Sequence, residues 1–275
     1  MIILRATKVD AQLRGFADEL AAASGLTVAY LIDERGGTVE TDRPKIRLTQ
    51  ELCESIGLFC PGDFAWRCGD YGFYLARRQF PEASFYWQIE FDVRFRGPGL
   101  AAFFAACARD QADLLAADFG IAKRDWWWRM FAQARDVVPY RAFFPVTRLS
   151  AHAVDNLLAK RVAHSRQWLR RNHWPNDEAF VATTLAADGR LDVRDLKEVW
   201  PNLYDAATFT FTQPIKGEDL EIMPINERLI MYHPVLFGQD FADKLARLKI
   251  QVAVESILLR VRRKVYSKIA RLRRW

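Results

Sequence analysis

The chain has 275 residues, 51% hydrophobic and 27% charged, the balance of a globular protein with enough apolar mass for one large domain or two small ones. Its net charge of +6 is localised: Arg260, Arg262, Arg263, Lys264, Lys268, Arg271, Arg273 and Arg274 all follow the last acid, Glu255, so residues 1–259 are slightly acidic and a nucleic-acid-binding body is not supported. No apolar run is long enough for a membrane-spanning helix, Arg5 and Lys8 interrupt a signal-like start, and Cys53, Cys60, Cys68 and Cys107 lack paired metal spacing, which points to reduced cytosolic thiols.

Residues 2–6 (IILRA) predict a short buried strand. Asp10 to Ala23 predicts a helix with Leu13, Phe16, Ala17 and Leu20 on one face, ended by Ser24-Gly25, and Thr27 to Ile32 a second apolar strand closed by Asp33-Glu34. A strand–helix–strand unit has a parallel, right-handed crossover by default, with a ligand at the carboxyl ends of its strands, near Ala6-Thr7 and Asp33. A polar loop over Gly36 to Pro44 follows, then a short helix capped by Thr49 and running through Ile56, then an irregular stretch from Phe59 to Trp66. Cys68-Gly69-Asp70-Tyr71-Gly72 reads as a turn entering a helix of about ten residues that stops near Pro81.

The stretch from Phe85 to Phe95, FYWQIEFDVRF, alternates Gln88, Glu90, Asp92 and Arg94 with Trp87, Ile89, Phe91, Val93 and Phe95. On a strand, alternate side chains point to opposite faces. Two carboxylates two residues apart at the end of an apolar strand suit a shared hard cation; a half-buried strand with a solvated polar face gives the same alternation. Downstream, Leu100 to Ala108 predicts a helix and Ala112 to Ala117 a strand, RDWWWRMF (124–131) is dense in aromatics, and Arg141 to Val146 is a strand or loop. Ser150 caps a helix from Ala151 to about His164, and Pro175-Asn176-Asp177-Glu178 opens another with acids in its first turn. Leu196 to Tyr204 and Thr208 to Thr212 are mixed, Leu229 to Val235 (LIMYHPV) is a late strand carrying His233, and Asp240 onward predicts one long helix. No internal repeat is present.

This order of elements, over about residues 1–237, resembles a GT-A glycosyltransferase: a Rossmann-like α/β domain with a mixed, mainly parallel central sheet flanked by helices. Three motifs carry the resemblance. Glu90-Phe91-Asp92 looks like the family's acidic DxD element with Glu in first place, which implies Asp92 as a ligand of Mn²⁺ or Mg²⁺ and Glu90 as a donor contact or supporting group. Asn176-Asp177-Glu178 resembles the acceptor-side acidic motif of inverting members, implying Asp177 or Glu178 as the base; acids stabilising a helix start look the same. His233 in Met-Tyr-His-Pro-Val looks like the late metal-ligating histidine.

The same resemblance implies Thr7, Asp33 and Asp70 as donor contacts, each of which could equally be a turn or cap residue. Arg5 and Arg148 could meet phosphate, although surface placement is the commoner fate of an arginine. Trp126, Trp127 and Trp128 suggest an acceptor platform, and three consecutive tryptophans cannot all face inward. His152, His164 and His173 form no metal spacing.

The expected layout is a transferase domain over 1–238 and a basic amphipathic C-terminal helix over 239–275. Its Ile250, Val254, Ile257, Leu258, Val261, Val265, Ile269 and Leu272 share one face, which fits an anionic membrane surface or a protein partner. Expected partners are a nucleotide-sugar and a glycan or glycolipid acceptor, with no nucleic acid, at a cytoplasmic, peripheral-membrane location. A nucleotidyltransferase is the first rival, although Arg5-Ala6-Thr7-Lys8 lacks the glycine its phosphate loop would need; a non-catalytic glycan-binding scaffold is the second.

Overall fold

The computed structural model describes residues 1–167 and 174–250. Ile2–Ala6 (β1) and Val28–Asp33 (β2) are apolar towards both faces, the pattern of strands covered by helices on two sides. They pair in parallel, Ile2 opposite Val28 through Ala6 opposite Ile32. Lys45–Leu48 (β3) adds in parallel to β2, and Phe85–Glu90 (β4) adds in parallel to the other edge of β1. Arg94–Arg96 forms β5, Leu114–Ile121 β6, Tyr140–Ser150 β7 and Val193–Asp195 β8. The seven-stranded sheet runs β3-β2-β1-β4-β7-β6-β8, parallel except for β7, which lies antiparallel between β4 and β6. Ile215–Lys216 (β9), Ile230–Tyr232 (β10) and Val235–Leu236 (β11) make two small ribbons, β10 antiparallel to β5 and β11 parallel to β9.

Helices cover both faces of the sheet. Ile3, Ala29 and Leu31 pack with Tyr71, Leu157 and Phe180 of the helices Asp70–Gln79, Ala151–Ser165 and Asp177–Ala186. Ile2, Leu4 and Tyr30 pack with Phe16 and Phe103 of the helices Ala11–Ser24 and Leu100–Arg109 on the other face. The predicted caps Thr49 and Ser150 form, and Asp10 and Asn176 cap their helices as well, each accepting a bond from a first-turn backbone N–H.

Several expectations are corrected. FYWQIEFDVRF is not one strand: β4 stops at Glu90, Phe91-Asp92-Val93 turns, and β5 leaves the main sheet for β10. Its polar face is not solvated either, since Gln88 is fully buried against the helix Asp70–Gln79, where a Cβ on Gly72 would lie 2.6 Å from the Gln88 amide oxygen. The late strand is likewise split, β10 and β11 flanking a cis His233–Pro234 bond. Arg141 to Val146 belongs to the eleven-residue β7, and β6 continues past Ala117 to Ile121. A one-turn helix, Phe64–Arg67, replaces the end of the stretch expected to be irregular. Residues 238–250 are helical, and the membrane-binding expectation for residues 251–275 lies outside the described residues, as does His173. Among the described residues no helix is long and apolar enough to cross a membrane.

Candidate metal and transfer site

Strand order places the site. From β1, the chain crosses to β2 on one side and, later, to β4 on the other, so β1 and β4 flank the switch point where open α/β sheets hold ligands at the carboxyl ends of their strands. Arg5 and Glu90 face each other there in register, with Arg5 Nη1 donating to Glu90 Oε1 at 2.7 Å. The turn after β4 then brings in Asp92. Two backbone bonds hold this turn: Phe91 N–H donates to the Arg5 carbonyl at 3.0 Å and Val235 N–H to the Asp92 carbonyl at 2.7 Å. The second bond anchors the residues flanking His233 directly to the acidic turn.

Glu90, Asp92 and His233 each offer one ligand atom within 4.8 Å of the others. His233 Nε2 lies 3.5 Å from Asp92 Oδ1 and 3.8 Å from Glu90 Oε2. Its Nδ1 is 2.7 Å from the Thr210 carbonyl, an acceptor that fixes the proton on Nδ1 and leaves the Nε2 lone pair facing the carboxylates. Asp92 Oδ1 is buried with no hydrogen-bond partner. An unpartnered buried carboxylate oxygen, a second carboxylate and a pre-oriented imidazole are a donor set that fits a hard or borderline divalent cation.

The electrostatics report the same crowding. Burial opposes the Glu90 charge, yet Arg5 and His233 hold its carboxyl below the ordinary value. Burial and the Glu90 charge push Asp92 up to about 6 against the pull of His233. Burial would lower His233, but the two carboxylates outweigh it and raise it.

The acceptor-side acids reach the same place from the other half of the chain. Asp177 is buried at the start of its helix, with Oδ2 accepting from Gly69 N–H at 2.8 Å and Oδ1 from Glu178 N–H at 2.8 Å. Glu178 is half-buried and accepts from Asn176 Nδ2 at 3.1 Å. Burial, with the negative charge of Asp70 and Glu90, pushes Asp177 up to about 7 despite Arg5; burial and Asp177 push Glu178 up to about 8. Glu90 raises both, so the donor-side and acceptor-side motifs share one electrostatic field.

The remaining candidates divide. Thr7 is exposed just past β1. Asp33 ends β2, its oxygens held by Arg35 at 2.8 and 2.7 Å, which keeps its carboxyl below the ordinary value. Asp70 is corrected: it is fully buried, its oxygens accept from Arg161 at 2.8 and 2.9 Å and from Tyr74 at 2.8 Å, and no surface is left to touch a donor. Its turn faces inward against the helix Ala151–Ser165. Arg148 meets neither phosphate nor solvent, being buried at the opposite end of β7 against the Cys107 and Ala112 carbonyls. Trp127 is 68% exposed, whereas Trp128 lies beneath Arg67, and both line a cavity of about 200 Å³ with Trp174 and Pro175, which directly precede the acidic helix.

One contributor escaped sequence reasoning: the Thr210 carbonyl orients His233, and a backbone acceptor has no sequence signal. Arg5, expected either to meet phosphate or to lie at the surface, instead pairs with Glu90 inside the site.

No protein-family model and no curated protein matches the chain. Among solved structures it is similar to mouse xyloside xylosyltransferase 1 (14% identity, 74% of this chain and 87% of the other, TM-score 0.40). It is also similar to a glycosyltransferase involved in glycosylation of the major capsid of PBCV-1 (11% identity, 90% and 98% coverage, TM-score 0.40). A third is the galactosyltransferase LgtC, solved with donor and acceptor sugar analogues (11% identity, 84% and 86% coverage, TM-score 0.41). All three are glycosyltransferases; superposition is loose, and the functional reading stands on the side chains at the sheet's carboxyl edge.

Proposed function

We propose that this chain is a metal-dependent glycosyltransferase of the GT-A kind, moving a sugar from a nucleotide-sugar to a hydroxyl of a glycan or glycolipid, as in cell-surface polysaccharide assembly. The observation that carries this reading is the Glu90–Asp92–His233 cluster at the switch point, with an unpartnered buried Asp92 oxygen and a His233 Nε2 turned towards it. Asp92 and His233 would hold Mn²⁺ or Mg²⁺, assisted by Glu90. When bound, that ion supplies charge stabilisation for a departing diphosphate.

The protein's own groups do the rest. Thr7 and Asp33, at the ends of the first two strands, are placed for the nucleoside. Glu178 is the more accessible of the two acceptor-side acids, because both oxygens of Asp177 already accept backbone bonds. In an inverting reaction Glu178 takes the proton of the acceptor hydroxyl, and a pKa near working pH suits that role. Trp126, Trp127 and Trp128 form the acceptor platform beside that helix. The basic segment from residue 250 onward is the proposed anchor to an anionic cytoplasmic membrane face.

The test is a panel of nucleotide-sugars assayed for hydrolysis with and without Mn²⁺. Wild type should turn over at least one donor only with metal, and Asp92→Ala should lower that rate at least about 100-fold while thermal unfolding stays near wild type. Undiminished turnover by Asp92→Ala would remove the metal assignment.

A further inference from the structure

Arg5 sits at the edge of the Glu90–Asp92–His233 cluster, opposite Glu90 in the β1–β4 register. Its Nη1 binds Glu90 Oε1 at 2.7 Å and its Nη2 donates to the Ala65 carbonyl, so the guanidinium is fixed from two sides. A Cβ added to Gly69 would strike the Asp177 carboxylate and stand 2.9 Å from Arg5 Nη1, so the side chains of Asp177 and Arg5 both close over the same side of this glycine. The Arg5 charge is also felt at Asp33 and Asp177. Glu90 is thereby divided: Oε1 belongs to Arg5, and Oε2 is the oxygen 3.8 Å from His233 Nε2.

We propose that Arg5 is a positioning residue for the metal cluster: it acts as an internal counter-ion that leaves Glu90 one oxygen for the ion. This rests on the metal-dependent reading above and adds a consequence to it. A fixed cation beside a divalent ion opposes its charge, so Arg5 weakens binding of the metal alone. An arriving diphosphate offsets both positive charges, so metal and nucleotide are held best together. Arg5 thus makes the metal site selective for the metal–diphosphate pair over the bare ion.

Mn²⁺ binding, measured by calorimetry and by loss of the free-ion EPR signal, tests this without any turnover. Arg5→Gln removes the charge and keeps a polar amide at the position; it should bind Mn²⁺ about tenfold more tightly than wild type. Arg5→Met, a second neutral variant, should tighten it in the same direction, and Arg5→Lys should stay within about twofold of wild type. Adding Asp92→Ala to Arg5→Gln should abolish the gain, which locates it at this cluster. Unchanged or weaker Mn²⁺ binding in folded Arg5→Gln overturns the role of Arg5 and leaves the metal reading standing. Absence of Mn²⁺ binding by wild type overturns both.

Discussion

At the scale of single residues, the acids of the acceptor-side helix carry a pH signature. The folded carboxyls of Asp177 and Glu178 titrate near 7 and 8, above their ordinary values of 3.8 and 4.5. Between the two limits the folded chain binds more protons than the unfolded chain, so stability is full below about pH 4 and declines as pH rises through 8. Urea unfolding should show that decline, and Glu178→Gln should stabilise the protein at pH 8.5 by about 1–2 kcal/mol while changing little at pH 4.5. An identical pH slope in the variant would show that Glu178 is not held neutral. These acids, Asp92 and His233 were singled out by their resemblance to GT-A motifs, since acids at a helix start and a lone histidine in a strand are common by themselves. Asp70 misled because an acid in a Gly-rich turn looks the same whether it faces a ligand or a buried arginine. Arg5 was undervalued because the usual fate of arginine is the surface, and only the register of β1 against β4 reveals its partner.

Among elements, the decisive event is the end of β4 at Glu90. Alternation through Phe95 reads as one continuous strand, since period-two patterning continues across the turn into β5. The break is enforced from outside, by β10 pairing with β5 and by the Val235 bond to Asp92, and long-range partners leave no local mark. Short strands such as β3, β8 and β9 were invisible for the same reason. The helices Asp70–Gln79 and Ala151–Ser165 are joined by the buried Asp70–Arg161 pair, whose Arg161 Nη1 also donates to the Pro175 carbonyl at 3.3 Å. Arg161→Met should cost about 3–5 kcal/mol in urea unfolding, because it strands a buried carboxylate. Adding Asp70→Leu should restore much of the loss. No recovery in the double variant would mean that Arg161 acts through its stacking on Phe180 and Trp174 rather than its charge.

For the whole molecule, strand–helix–strand patterning and the apolar β1 and β2 made the parallel α/β class readable, whereas the antiparallel insertion of β7 was not, because strand direction is set by connections and not by composition. The charge split between body and C-terminal segment remains a whole-chain property. Full-length protein should float with anionic liposomes and a 1–255 truncation should not, at about 1 kcal/mol per base near the surface; equal flotation would remove the membrane proposal. The Val235–Asp92 bond has a further consequence. Every strand of the main sheet is encoded by residue 195, whereas His233 comes later. In a chain that folds from its N-terminus the main sheet is therefore complete in sequence before the segment that fastens the acidic turn and supplies the imidazole, so the turn and the cluster are finished together by residues 230–235. On the proposed metal reading, a chain that stops short of residue 233 would carry the two carboxylates without their imidazole partner.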